Sequence, residues 1–148
     1  MARSISVKVP VATLISSIEN KIAEIDEAIA NYPAVREQYE KDIESYKDKM
    51  AQAVAKFLKN NTNKIGYNHD DLVRISTSYG GRLELAFDSE AMGLPKRPSE
   101  PERPNQSRWY GRDHANQKDL LEKNLKILRM TTQEEVNAST YGAVMELL

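Results

Sequence analysis

The sequence predicts an α+β fold: a long antiparallel helical hairpin of coiled-coil type, a small antiparallel β-sheet and C-terminal helices. Three observations predict it. Apolar residues recur four and three apart through residues 11–58, apolar residues recur every second position within 3–9 and in the two arms of 72–88, and helical spacing returns over 115–148. At 148 residues the chain is long enough for a single domain with its own core and a helical arm.

In the first half of the arm, Val11, Ile15, Ile18, Ile22, Ile25, Ile29 and Tyr32 form one stripe, and Glu19, Lys21, Glu24, Asp26 and Glu27 occupy the other faces. Tyr39, Ile43, Tyr46, Met50, Ala53 and Phe57 repeat the spacing in the second half, widened by Val35, Val54 and Leu58. Pro33 lies between them. A proline inside a helix removes a hydrogen bond and costs ~3 kcal/mol, but at a first turn it costs little. Asn31-Tyr32-Pro33 therefore predicts a break and a restart, with the second helix covering the first. The alternative is one long kinked helix, which requires Arg36 to occupy a seam position. In either arrangement an uncovered row of isoleucines would be an oligomer interface.

Ile5, Val7 and Val9 alternate with polar residues and end at Pro10, the pattern of a half-buried strand. The polar run Lys59 to Lys64 ends the arm. Residues 72–88 predict a β-hairpin whose register follows from its loop length. A two-residue Gly80-Gly81 loop would place the apolar sets on opposite faces. A three-residue loop, Tyr79-Gly80-Gly81, instead pairs Val73 with Phe87, Ile75 with Leu85 and Thr77 with Leu83, with Gly81 left-handed. A two-stranded ribbon is marginal alone, so the N-terminal strand is the expected third member.

Pro95, Pro98, Pro101 and Pro104 fall every third residue, the repeat of polyproline II, within an extended segment assigned to 94–112. Pro98, Pro101 and Arg103 also fit a proline-rich ligand for an aromatic groove. Next come Arg108, Trp109, Tyr110 and Arg112, the densest mixture of arginine and aromatic side chains in the chain. Those residue types dominate protein-binding hot spots and also hold single-stranded nucleic acid. The structural alternative is that Trp109 plugs the base of the domain. Beyond it, Leu120, Leu121, Leu125, Ile127 and Leu128 predict a helix from Ala115 to Met130. Thr131 with Glu134, or Thr132 with Glu135, forms a capping-box pattern that predicts a new helix.

Composition bounds the chemistry. The chain has 21 Lys and Arg against 22 Asp and Glu, a formal net charge of −1, so its surface as a whole is not built for nucleic acid or an anionic membrane. There is no cysteine, hence no disulfide, no thiolate nucleophile and no cysteine-bound zinc. No stretch approaches the ~20 apolar residues of a membrane span. His69-Asp70-Asp71 and Asp113-His114 lack the spacing that specifies a metal site, and no phosphate loop, nucleophile elbow or zinc helix motif occurs. The expectation is a non-enzymatic protein with no cofactor and no metal.

Ile5 to Pro10 leading into a charged helical arm, and Leu125 to Thr131 followed by Ser139-Thr140-Tyr141, resemble small uncharacterised proteins of bacteriophages that infect actinobacteria. The resemblance covers the two ends of the chain and implies a phage protein in the host cytoplasm. It implies no activity. Together these observations predict action by protein binding, either to a host protein or by self-assembly as a homo-oligomer. Nucleic-acid binding through the arginine and aromatic stretch and a structural or assembly role in the virion are the alternatives.

Overall fold

The computed structural model describes residues 6–110 and 113–148. In chain order the elements are β1 (Lys8–Pro10), α1 (Val11–Asn60), β2 (Ile65–Gly66), β3 (Val73–Thr77), β4 (Leu83–Phe87), α2 (Ser89–Met92), β5 (Ser107–Tyr110), β6 (Asp113–Asn116), α3 (Gln117–Met130), β7 (Glu135–Asn137) and α4 (Gly142–Met145). Single 3-10 turns cover Thr62–Lys64 and Ala138–Tyr141. The α+β class is as predicted. The chain groups into two compact units, residues 1–35 with 102–148 and residues 36–101.

The helical hairpin is not formed. Pro33 sits inside one uninterrupted 50-residue helix, with its ring exposed. The seam that Arg36 was expected to interrupt runs through it instead, because Arg36 has partners there. Its guanidinium donates to Glu100 at 2.7 Å and to Glu40 at 3.3 Å, and it lies 5.3 Å from the centroid of the Tyr39 ring. An arginine in the seam marks the place where an acid arrives from elsewhere in the chain.

In the first unit, Val11, Leu14, Ile18 and Ile25 of α1 are buried with Leu121, Leu125 and Leu128 of α3, and with Val136, Tyr141 and Val144. Leu14, which the four-three spacing passes over for Ile15, is 2 % exposed, and Ile15 packs only at the margin. Lys118 of α3 donates to Asp26 at 2.6 Å and Arg129 pairs with Glu19, so two exposed ion pairs also link the helices. Both pairs are open to solvent screening, so the apolar cluster carries the association.

The N-terminal strand is not the third member of the hairpin sheet. β1 pairs antiparallel with β7, placing Val9 opposite Val136. The pairing continues at both ends, from Val11 N–H to Glu134 O at 2.8 Å and from Ala138 N–H to Val7 O at 2.9 Å. No helix starts at Thr131 or Thr132, since residues 135–137 are strand. The capping-box pattern is local, whereas the pairing partner lies at the other end of the chain. Ile5 lies outside the described residues.

In the second unit, β3 and β4 have the derived register throughout: Val73 with Phe87, Ile75 with Leu85, Thr77 with Leu83. The loop has three residues, closed by Gly81 N–H to Ser78 O at 3.2 Å, with Gly80 at φ 96° and Gly81 at φ 80°. Both glycines use a region that side chains avoid. The third strand is β2, which joins β3 in parallel. On α1, Tyr39, Ile43, Tyr46, Met50 and Ala53 are half-buried and Phe57 is buried, its ring edge-on to Phe87 at 6.3 Å. Pro95, Pro98 and Pro101 are half-buried while every residue between them is exposed, which is the three-residue period expected of the ladder.

The continuous helix predicts that P33A stabilises the protein. Alanine restores an amide able to bond the carbonyl of Ile29 and removes the ring clash, for a gain of about 1–3 kcal/mol in urea unfolding. A neutral or destabilising outcome would mean that residues 31–33 are a true break.

Candidate interaction surface

The arginine and aromatic stretch is a two-stranded ribbon. β5 pairs antiparallel with β6, Ser107 opposite Asn116, Arg108 opposite Ala115, Trp109 opposite His114 and Tyr110 opposite Asp113. The extended segment expected over 94–112 thus gives way to a strand at Ser107, and the helix expected from Ala115 begins at Gln117. Gly111 and Arg112 lie outside the described residues.

Two asparagines fix the base of the ribbon to the start of α3. Asn116, the N-cap, accepts from Asp119 N–H at 2.8 Å. Asn105, at φ 57°, accepts from Lys118 N–H at 2.8 Å. Two of the four orphan donors of the helix are therefore satisfied by residues that flank the ribbon. Asparagine is the side chain that tolerates the left-handed region best after glycine. The hydrogen bond to Asp26 raises the pKa of the Lys118 ammonium above the usual lysine range.

Trp109 does not plug the base of the domain. It is 73 % exposed, and its ring lies 5.1 Å from that of His114 at a tilt of 58°. The alternation of a strand puts Trp109 and His114 on one face of the ribbon and Arg108 on the other. Arg108 and Arg103 are exposed. Tyr110 is half-buried, and its hydroxyl is buried with no hydrogen-bond partner among the described residues.

Of the candidate residues, Arg103, Arg108, Trp109 and Tyr110 belong to the first unit, with Arg108, Trp109 and Tyr110 consecutive on β5. Pro98 and Pro101 belong to the second. There Pro95 and Pro98 line a recess of about 290 Å³ with Asp42, Ser45, Tyr46 and Lys49 of α1. His114, the ring partner of Trp109, lies two residues beyond Arg112 at the end of the same stretch, but sequence reasoning weighs it only as a metal ligand and not among the contact residues. Sequence spacing also missed a groove of about 580 Å³ between α1 and α3, lined by Ile22, Leu125 and Met130 together with Glu19 and Arg129.

Among the described residues no three His, Asp or Glu side chains converge on one point, and no helix is long and apolar enough to cross a membrane. Comparison with known proteins finds no matching family model, no matching curated protein and no matching solved structure.

Two substitutions separate the support of the ribbon from its surface. N116A removes a cap and should cost about 1 kcal/mol in chemical unfolding. Y110F removes a buried hydroxyl that lacks a partner among the described residues, and should be neutral or stabilise by about 1 kcal/mol in the same measurement. A loss of stability in Y110F would identify a bond to that hydroxyl.

Proposed function

We propose that this chain is a non-enzymatic phage protein that acts by binding a host protein in the host cytoplasm, with Trp109 and His114 as the centre of the contact and Arg108 on the reverse face of the same ribbon. The observation that carries this reading is the exposed indole on a ribbon anchored at its base. A tryptophan buries 150–250 Å² when covered, and leaving most of that area in water gives the isolated chain nothing in stability. A ribbon held at both flanks by helix caps also loses little conformational freedom on binding. The phage assignment rests on the resemblance at the two ends of the chain.

Nucleic-acid binding is the second reading, favoured by the exposed Arg103 and Arg108 near an exposed aromatic ring. Salt distinguishes the two. Phosphate contacts release counterions and weaken steeply with salt, whereas an aromatic hot spot does so far less.

The test is to tag the protein, express it in an actinobacterial host and identify what co-purifies with and without nuclease. One stoichiometric host protein that survives nuclease and is lost from an R108A/W109A double variant is the expected result. Recovery of nucleic acid alone would replace the reading with the second one. As the chain has a single tryptophan, Trp109 emission reports the same surface directly. It should be accessible to iodide quenching in the free protein and protected in the complex.

A further inference from the structure

We infer that β4 is a self-association edge, through which two copies pair antiparallel about a two-fold axis at Leu85. This is independent of the Trp109 surface and lies in the other unit.

The three-stranded sheet has the order β2-β3-β4, so β4 is an edge. The opposite edge, β2, has two residues and is too short to template a strand. Bonds from Ser78 N–H to Arg82 O at 2.8 Å and from Asp88 N–H to Leu72 O at 3.1 Å show that even-numbered residues of this strand turn their backbone groups toward β3. By alternation, the N–H and C=O groups of Leu83, Leu85 and Phe87 point outward. These same residues carry the apolar side chains, which share the face of Val73 and Ile75. Cover on that face fades toward the loop: Val73 is fully buried, Leu85 is 42 % exposed and Leu83 is 66 % exposed. The usual protections of an edge are missing, as β4 has no proline, no bulge within it and no charge on its apolar face.

Overlap of the whole strand Leu83–Phe87 and charge together select the register. Pairing about Glu84 would set Glu84 against its own copy, and pairing about Ala86 would set Glu84 against Asp88. Like charges directly opposite are destabilising. Pairing about Leu85 places Leu83 opposite Phe87, Leu85 opposite Leu85, and Arg82 opposite Asp88 at both ends. The outward N–H and C=O groups of Leu83, Leu85 and Phe87 meet their counterparts, and one apolar face continues across six strands. The occupant that fits this edge is a second copy of the chain.

The chain has no cysteine, so single cysteines report register without background. E84C and A86C are exposed positions on the solvent face of the sheet, and in this register residue 84 of one copy faces residue 86 of the other. Mild oxidation of the two variants mixed should give mainly the 84–86 heterodisulfide, at a pair spacing suited to a disulfide. Sedimentation of the unaltered chain should show a dimer, and R82E, which sets an acid against Asp88 twice, should weaken it about tenfold. A monomer at all concentrations, a predominance of 84–84 or 86–86 disulfides, or a dimer indifferent to R82E would each overturn the inference.

Discussion

The apolar stripe of α1 is the constraint to which every other element answers. A helix with one such stripe must have it covered, and each fully buried isoleucine, leucine or phenylalanine contributes about 1.5–3 kcal/mol. Val11, Leu14, Ile18, Ile25 and Phe57 are all buried along this one helix. Against that sum, the ~3 kcal/mol cost of an internal proline is a minor term. Breaking the helix at Pro33 would relieve the proline, but the second half would then have to cover the first. The chain supplies other covers. Within the first unit these are α3 and the strand-turn at residues 135–144, and within the second they are the proline segment and the sheet.

The proline segment shows how an extended stretch can serve as a cover. An extended backbone away from a sheet leaves its N–H groups without internal partners, and each proline removes one such donor. Proline also fixes φ in the unfolded chain, so less backbone entropy is lost on ordering. The geometry favours the pairing as well. Tyr39 and Tyr46 are seven residues apart on α1, roughly 10.5 Å of helix. Three residues of polyproline II advance about 9.3 Å. The two periods are close enough for successive prolines to meet seam residues two helical turns apart. Arg36 and Glu100 then secure the register at one point, and because both remain partly exposed their pair specifies position more than it adds stability.

What could be read from the sequence divides along this same line. The β3–β4 register was legible in full, because loop length, strand period and the two apolar sets are all local and admit one solution. The proline ladder was legible for the same reason, since its period of three appears again in the burial of Pro95, Pro98 and Pro101. The hairpin failed because the evidence against it lies far along the chain: Arg36 looked out of place only while Glu100 was invisible. The strand at Glu135–Asn137 failed likewise. Its local pattern is a good helix start, and only Val9, more than a hundred residues earlier, makes Val136 a strand residue. For the candidate surface, residue type pointed to Trp109, but exposure could not be derived, because the same indole would suit a core equally well.

Covering the α1 stripe leaves two ribbons whose apolar ends are not explained by that task. In β3–β4 the burial gradient follows distance from Phe57, the residue of α1 that meets Phe87. A strand selected for monomer stability alone would become polar on both faces beyond the point where the helix ceases to cover it. Leu83 and Leu85 do not, while the residues on the other face, Arg74, Ser76 and Glu84, are polar as a solvent face should be. The alternation that defines the strand therefore persists where the monomer covers it only in part. In β5–β6 the departure is sharper, since nothing in the first unit's core requires an indole at position 109 or an arginine beside it. On both ribbons the residues that the monomer core leaves largely uncovered are of the types that strand pairing and aromatic contact use best.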